Sequence, residues 1–433
     1  MTELPLFSRA HTHGDRVAIQ SNGETSSYKQ LLTYSAQLAQ QILGGQKDLE
    51  EARIAFLAPP GANYATIQWG IWRAGGIAVP LCLSAAEPEL EYALSDSESS
   101  LVVATKSQSS KISSICQRLG IPLLILGNTD SVPENRLPLL APSRRAMILY
   151  TSGTTSKPKG VVLTHANIQA QIESLVEAWE WKQEDRIPLF LPLHHIHGII
   201  NVLSCALWMG ATIEAFPKFE SGKILKRVEE EAYSVFMAVP TIYVKLIEAL
   251  KTLEEEERKS VIQGFKHMRL MVSGSAALPA SVHKNWTELT GQELLERYGM
   301  TEIGMALSNP FRGERRPGAV GIPLPKVEVR LKSESGDCVT IENEPGEIQV
   351  RGPCIFNEYW KRPEVTIESF QDGWFRTGDM AVIESGYYRI MGRLSVDIIK
   401  SGGYKLSALE IEAVLLQPPL IRECAVIGHS DEP

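Results

Sequence analysis

Apolar runs of strand length alternate with stretches of helical periodicity along the first part of the chain. The runs 53–57, 77–80 and 101–104 predict strands, and the segments 64–74 and 87–94 predict helices between them. Strands and helices that alternate at this spacing are typical of a parallel sheet covered by helices on both faces. The pattern therefore predicts an α/β fold.

An Asn-Gly pair marks a tight turn near the amino terminus. The segments 16–20 and 26–28 flank the sequence Ser21-Asn-Gly-Glu24, which predicts a β-hairpin. We assign this hairpin a structural role, because residues 1–140 carry no obvious chemistry.

The pattern changes in the second half of the chain. Strands are predicted at 234–238 and 268–272, with Pro240 placed to begin a helix. Short strands divided by turns over about 315–391 predict a smaller antiparallel or barrel-like part. We predict that residues 1–392 form one large domain and that 393–433 form a hinge and the start of another, since 433 residues exceed one ordinary core.

Composition and charge narrow the class of protein. With 44% hydrophobic and 22% charged residues, the chain is typical of a globular protein. A net charge of -8 without a basic block argues against binding to nucleic acid or to an anionic membrane. The six cysteines form no CxxC pair, and neither a signal peptide nor a membrane span is apparent, so we expect a cytoplasmic protein with reduced thiols.

The segment 147–164 is the strongest candidate for chemistry. Two apolar runs flank a loop of hydroxyl residues, glycines and lysines, which suits a polyphosphate because it offers backbone N–H groups, hydroxyl donors and positive charge. The loop lacks the Gly-Lys-Ser/Thr ending of a Walker loop. Its candidate nucleotide-binding residues are Thr151, Ser152, Gly153, Thr154, Thr155, Lys157 and Lys159.

Three histidines stand close together in the run 191–198. Strand alternation would send His195 and His197 to one side and His194 to the other, and no nearby Cys or Asp completes a set of metal ligands. We therefore favour an ordinary core or capping role for His194 and His197 over a metal site.

Further candidates follow in two groups. Tyr298 can stack on a base, Thr301 can bond a phosphate oxygen, and Glu302 can hold a magnesium ion between phosphates. Asp379 can accept both ribose hydroxyls, and Arg393 can add a ribose or phosphate contact.

Together these motifs resemble the adenylate-forming superfamily of acyl-CoA synthetases, luciferases and peptide-synthetase adenylation domains. The phosphate loop, the His195 run, the Gly-Ser-Ala-Ala-Leu segment at 274–278, the Tyr-Gly-Met-Thr-Glu segment at 298–302 and the Arg-Thr-Gly-Asp segment at 376–379 occur in the family's order. The neighbourhoods of these motifs resemble malonyl-CoA synthetases more narrowly. One departure is Ser156, where the family usually has glycine; it either stiffens the loop or adds a donor.

The resemblance implies a fold and a reaction. The implied fold is a large domain of two doubly wound α/β subdomains plus a small distorted β-barrel, followed by part of an α+β domain. The implied reaction uses ATP, Mg²⁺ and CoA to convert malonate to malonyl-CoA through an acyl-adenylate. The oligomeric state is not predicted.

The resemblance also assigns residues to the acid site. It implies that His195 lies beside the reacting carboxylate, that Arg269 pairs with the distal carboxylate of malonate near Ser273, and that Met305 walls the pocket. Ser275 and Ala276 would join the nucleotide site. Without the resemblance, Arg269 would be read as a solvated arginine at a strand start.

Two alternatives to a malonate ligase remain open at this stage. The chain can be an adenylate-forming ligase for another short or aromatic acid, or a non-catalytic nucleotide-binding module. The second alternative arises because the family continues with a small domain bearing a Pro-Arg-Asn-x-x-Gly-Lys motif, which is not found in these 433 residues. We accordingly expect this chain to bind nucleotide and acid with impaired turnover.

Overall fold

The computed structural model describes residues 3–127, 136–151, 157–401, 404–415, 421 and 424–428. The α-helices are α1 (Pro5–His13), α2 (Tyr28–Leu43), α3 (Ala62–Arg73), α4 (Glu87–Ser97), α5 (Ser109–Leu119), α6 (His165–Ala178), α7 (Cys205–Met209), α8 (Ser221–Glu229), α9 (Pro240–Thr252), α10 (Glu255–His267), α11 (Ala280–Thr290), α12 (Pro363–Glu368) and α13 (Ala408–Leu415). A π-helix spans His197–Ser204.

The strands alternate with these helices in the first 300 residues and follow one another closely afterwards. They are β1 (Val17–Ser21), β2 (Glu24–Ser27), β3 (Arg53–Leu57), β4 (Ile77–Pro80), β5 (Leu101–Thr105), β6 (Leu123–Leu126), β7 (Arg145–Thr151), β8 (Lys159–Thr164), β9 (Arg186–Leu189), β10 (Thr212–Ala215), β11 (Val235–Ala238), β12 (Leu270–Ser273), β13 (Leu295–Met300), β14 (Gly304–Ser308), β15 (Ile322–Pro323), β16 (Glu328–Lys332), β17 (Gly346–Arg351), β18 (Glu358–Tyr359), β19 (Phe370–Gln371), β20 (Trp374–Glu384), β21 (Tyr387–Arg393), β22 (Ile398–Ser401) and β23 (Tyr404–Ser407).

The largest sheet has seven strands within the described residues, in the order β18-β8-β7-β4-β3-β5-β6. Strands β7, β4, β3, β5 and β6 pair in parallel, whereas β8 runs antiparallel to β7 and β18 runs antiparallel to β8. The parallel strands are nearly continuous apolar runs because both of their faces are covered. The parallel sheet predicted from the alternating pattern is confirmed.

Two further sheets meet edge to edge. One has the order β2-β1-β10-β9 and the other the order β11-β12-β13-β14-β15. The backbone N–H of Ser234, just before β11, donates to the carbonyl of Arg186 on β9 at 3.1 Å. Because β11, β12 and β13 are parallel, their carboxyl ends lie at one edge, which is where open α/β sheets bind ligands.

The antiparallel part predicted for the region after residue 315 is also present. Strands β16, β17, β20 and β19 pair in that order, and β21 pairs with β20. The short strand β15 pairs with β14 of the neighbouring sheet instead of with the barrel-like part. The two doubly wound subdomains and the small antiparallel part together agree with the fold class that the sequence implies.

Local signals explain where individual elements begin. Asn22 and Gly23 adopt positive φ angles of 50° and 82°, and Ser21 pairs with Glu24, so the hairpin has the two-residue turn predicted from Asn-Gly. Thr164 caps α6 by accepting the N–H of Asn167 at 3.1 Å, a contact that stabilises a helix start by about 1 kcal/mol. This cap turns the chain directly from β8, which carries Lys159, into a helix.

The last described elements are the β22–β23 hairpin and α13. The N–H of Ala408 donates to the carbonyl of Asp397 at 2.8 Å, and the hydroxyl of Ser407 donates to the carbonyl of Met391. The domain boundary at residue 393 stays a prediction. Among the described residues, no helix combines the length and the apolar character needed to cross a bilayer.

Candidate active site

A cavity of about 810 Å³ opens where the carboxyl edge of β11–β13 faces β7, β8 and the antiparallel part. Of the residues predicted from sequence, the ones that line it are Thr151, Lys159, His195, Ser275, Thr301, Glu302, Met305 and Arg393. Elements that are far apart in sequence therefore bring phosphate-loop, acid-site and ribose-site candidates to one space.

The phosphate corner of the cavity is built by a hairpin. Thr151 ends β7, Lys159 begins β8, and the two residues are paired across the strands. Lys157 is exposed and does not line the cavity; its Nζ lies 5.7 Å from the ring centroid of Tyr92. Ser152, Gly153, Thr154, Thr155 and Ser156 lie outside the described residues, so their predicted contacts stay predictions.

Glu302 faces the cavity beside this corner. Its Oε1 accepts a hydrogen bond from the Tyr359 hydroxyl at 2.9 Å. Burial raises the pKa of Glu302, while hydrogen bonds from its own backbone and from Tyr359 act in the opposite direction. Thr301 lines the cavity next to it.

Tyr298 and Asp379 meet at the edge of the barrel-like part. The Tyr298 hydroxyl donates to Asp379 Oδ2 at 2.6 Å, and Arg393 Nε lies 3.8 Å from Asp379 Oδ1. The register of β20 and β21 places Asp379 opposite Arg393. Burial raises the pKa of Asp379, and the contacts with Tyr298 and Arg393 oppose that rise.

The loop after β12 supplies Ser275. It adopts a φ of 71°, which is uncommon for a residue with a side chain, and its hydroxyl lies 3.1 Å from His197 Nδ1. The same hydroxyl accepts a hydrogen bond from Arg297 at 3.0 Å. Ala276 is exposed beside it and does not line the cavity.

The histidine run is a turn that enters a π-helix, not a strand. His195 and His197 line the cavity and His194 does not, so the division predicted from alternation holds for a different reason. Burial, with Arg297 nearby, holds the pKa of His197 well below its usual value, so the ring is neutral. Its Nε2 has no hydrogen-bond partner in the described residues. The ring is buried, as a core role would have it, and also lines the cavity, so the core or capping role favoured for it stays a prediction.

Arg297 is a site residue that the sequence reasoning missed. It lies on β13, 3% exposed, and lines the cavity. Its one hydrogen-bond partner in the described part of the chain is Ser275, and its Nε has none. Burial alone lowers the pKa of Arg297 to about 9. An anion in the cavity would restore the stability of the charged form.

Gly274 makes room for this arginine. A Cβ atom at Gly274 would lie 2.7 Å from Arg297 Cζ, so a side chain there would displace the guanidinium. The sequence signal that could have identified it is a charged pair, Glu296-Arg297, placed in a strand directly before Tyr298-Gly299.

The structure corrects the placement predicted for Arg269. Arg269 precedes β12, at the edge of the sheet opposite the cavity, and does not line it. Its guanidinium forms a bidentate ion pair with the buried carboxylate of Asp185 and donates to the carbonyl of Trp179 at 3.0 Å. Ser273 lies at the other end of β12, fully buried, and its hydroxyl has no partner in the described residues.

A metal site built only from side chains is not found. No group of three or more His, Cys, Asp or Glu side chains in the described ranges is arranged to hold a metal ion. Met305 lines the cavity, and its predicted part in walling the acid pocket stays a prediction.

The fold and the cavity are those of a nucleotide-dependent ligase. The chain belongs to the AMP-binding enzyme family, whose profile matches residues 6–360. It is 44% identical over 467 residues to the human protein named malonate–CoA ligase ACSF3, mitochondrial, covering 99% of this chain and 81% of that protein.

Two solved structures match nearly the whole chain. ATP-bound MatB from Rhodopseudomonas palustris matches with a TM-score of 0.88 and 33% identity, covering 98% of this chain and 86% of that one. A malonyl-CoA ligase with methylmalonyl-CoA and AMP bound matches with a TM-score of 0.79 and 35% identity, covering 99% of this chain and 89% of that one.

Proposed function

We propose that the chain is an AMP-forming acid–CoA ligase whose acid is malonate. The observation that carries the choice of acid is Arg297, a buried guanidinium that has no acidic partner among the described residues and lines the cavity. A buried charge without a partner is costly, so the site gains stability when a carboxylate arrives. A dicarboxylic acid supplies that second carboxylate.

Two neighbours complete the distal carboxylate site. Ser275 accepts a hydrogen bond from Arg297 and gives its one hydroxyl proton to His197 Nδ1, so it orients both groups towards an anion. His197 is neutral, and its unpartnered Nε2 can donate when Nδ1 accepts from Ser275. Met305 limits the length of acid that fits. In this proposal Arg297 takes the role that the sequence assigned to Arg269.

At the other end of the acid, a carboxylate attacks the α-phosphorus of ATP and pyrophosphate leaves. The CoA thiol then displaces AMP from the acyl-adenylate. The attack joins two anions, so positioning and charge neutralisation matter more than a nucleophilic side chain. We assign neutralisation to Lys159, a phosphate contact to Thr301 and the placement of the reacting carboxylate to His195, all of which line the cavity.

The residues present fit a magnesium ion. Glu302 presents one carboxylate to the cavity, with Oε1 fixed by Tyr359. Mg²⁺ is commonly held by one or two carboxylates, with phosphates and water filling its other positions. When bound, the ion would neutralise charge between the phosphates of ATP. Glu302 is the residue that we propose holds it.

A calorimetric titration tests the choice of acid without requiring turnover. Wild-type chain is titrated with a non-hydrolysable malonyl-adenylate mimic and with its acetyl and aryl counterparts. We expect the malonyl mimic to bind about 10²–10³-fold more tightly, the range for a charge pair that is desolvated on binding. Equal affinities for the three mimics would contradict malonate as the substrate and would favour a ligase for another acid. If the chain binds none of the three mimics, the non-catalytic alternative is favoured.

The nucleotide site is tested with Asp379→Asn. The amide is neutral, keeps one acceptor oxygen and turns the other acceptor into a donor, so the ribose hydroxyls lose the charged acceptor. We expect the affinity for AMP, measured by calorimetry, to fall by about 10-fold or more, as for hydrogen bonds to charged groups.

The matched control is Asp372→Asn, an exposed turn residue, whereas Asp379 is partly buried against Tyr298 and Arg393. Its affinity for AMP should equal that of the wild type. An unchanged affinity in Asp379→Asn would remove Asp379 from the ribose site.

The location of the protein remains part of the proposal. The sequence predicts a cytoplasmic protein, whereas the human relative is named mitochondrial. Imaging of a carboxyl-terminal fluorescent fusion in the source cells distinguishes the two compartments.

A further inference from the structure

Tyr359 contacts both charged side chains of the phosphate corner. Its hydroxyl donates to Glu302 Oε1 at 2.9 Å, and its ring centroid lies 4.4 Å from Lys159 Nζ. Lys159 and Glu302 form no ion pair with each other in the part of the chain that the structure describes; each contacts Tyr359 instead. One side chain thus serves a cation through its π face and an anion through its hydroxyl.

The surrounding fold fixes this side chain from several directions. Strand β18 pairs Tyr359 with Val161 on β8, two residues after Lys159. The Tyr359 N–H donates to the Thr366 hydroxyl at 2.9 Å, and the Phe356 ring packs edge-on at 4.7 Å. Tyr359 is 4% exposed. The phenol is therefore held in place before any ligand binds.

The same segment holds the backbone of Glu302. The N–H of Phe356 donates to the Glu302 carbonyl at 2.8 Å. Residues 356–359 therefore fix both the main chain and the carboxylate of Glu302. Tyr359 binds Oε1 of this carboxylate and not Oε2, so its hydrogen bond leaves Oε2 able to contact a cation.

We infer that Tyr359 is a positioning residue that keeps Glu302 and Lys159 apart, so that the carboxylate stays free for a divalent cation and the ammonium stays free for phosphate. The inference rests on the proposed role of Glu302 in holding that cation. Without the hydroxyl, Glu302 can rotate towards Lys159 and neutralise it, since opposite charges in a partly buried cavity attract strongly. Both groups would then be less available to the nucleotide.

Two substitutions separate the two contacts. Tyr359→Phe removes the hydroxyl and keeps the ring under Lys159. Tyr359→Leu removes both. The matched control is Tyr388→Phe, which removes the hydroxyl of a buried tyrosine that donates to the Val329 carbonyl and does not line the cavity.

The readout is calorimetric binding of a non-hydrolysable ATP analogue at increasing Mg²⁺ and, separately, in EDTA. For Tyr359→Phe we expect about a 10-fold rise in the Mg²⁺ concentration that gives half-maximal enhancement, as when a metal ligand loses its outer partner. Affinity in EDTA should fall by a smaller factor than affinity with Mg²⁺, because Glu302 then partly neutralises Lys159. Tyr359→Leu should in addition lose about 3–10-fold of affinity in EDTA, because the cation–π contact is gone.

Other outcomes contradict the inference. A Mg²⁺ midpoint unchanged in Tyr359→Phe overturns it, and so does a loss of affinity that is equal with Mg²⁺ and with EDTA, which would mark a merely structural role. A wild-type chain that binds the analogue but ignores Mg²⁺ removes the proposed metal role of Glu302 as well. None of these results depends on which acid the site accepts, because no acid is present. A failure of the malonate proposal would therefore leave the inference about Tyr359 untouched.

Discussion

Arg297→Leu is expected to lower the affinity for the malonyl-adenylate mimic by about 10²–10³-fold, to the level of the acetyl mimic. The substitution removes the guanidinium that faces the cavity and leaves the ribose and phosphate contacts in place. The affinity for AMP should therefore stay within a factor of two or so of the wild type, since interactions at separate sites are nearly additive. Calorimetry with the three ligands measures all of these values.

Stability provides an independent control for this variant. Because Arg297 has no acidic partner in the described residues, its removal should not lower the free energy of unfolding of the ligand-free chain. Arg297→Lys keeps the charge without the planar fork, and we expect an intermediate affinity for the malonyl mimic. Retention of full preference for the malonyl mimic in Arg297→Leu would contradict the assignment.

Arg269→Leu is expected to act on stability instead of on acid selection. It leaves the Asp185 carboxylate, 2% exposed at its side chain, without the guanidinium that now pairs with it. Breaking a buried pair on one side typically costs about 3–5 kcal/mol. Urea unfolding should show a loss of this size, while any surviving folded chain keeps its preference for the malonyl mimic.

Two further variants complete this test. The double variant Arg269→Leu with Asp185→Leu should recover part of the lost stability, because no unpaired charge is left. Arg351→Leu removes an exposed ion pair with Glu328 and should cost at most about 1 kcal/mol. Loss of malonyl preference in folded Arg269→Leu, with normal stability, would return the acid site to Arg269.

The sequence alone could not distinguish the positions of Arg269 and Arg297. Arg269 stands between Met268 and Leu270 and Arg297 between Glu296 and Tyr298, and both lie within runs that resemble malonyl-CoA synthetases. What distinguishes them is the end of the sheet that each one occupies. Arg269 lies at the amino end of β12, where Asp185, 84 positions away, neutralises it. A partner so distant in sequence has no local signal.

Elements with local signals were predicted correctly. The Asn22-Gly23 turn, the helix start at Pro240 and the parallel strands of the large sheet follow from turn chemistry, fixed φ and apolar runs. His197 shows the opposite case. Its neutral, partly unsatisfied ring depends on the π-helix and on contacts with Ser275 and Arg297, which strand alternation could not anticipate.

The position of a bound acid shows which of the two arginines binds the distal carboxylate. A crystal structure of this chain with the malonyl-adenylate mimic should place a distal carboxylate oxygen within hydrogen-bond distance, about 2.7–3.2 Å, of the Arg297 guanidinium. Arg269 should remain paired with Asp185. A distal carboxylate bound by Arg269, or one that leaves Arg297 without a partner, would contradict the account.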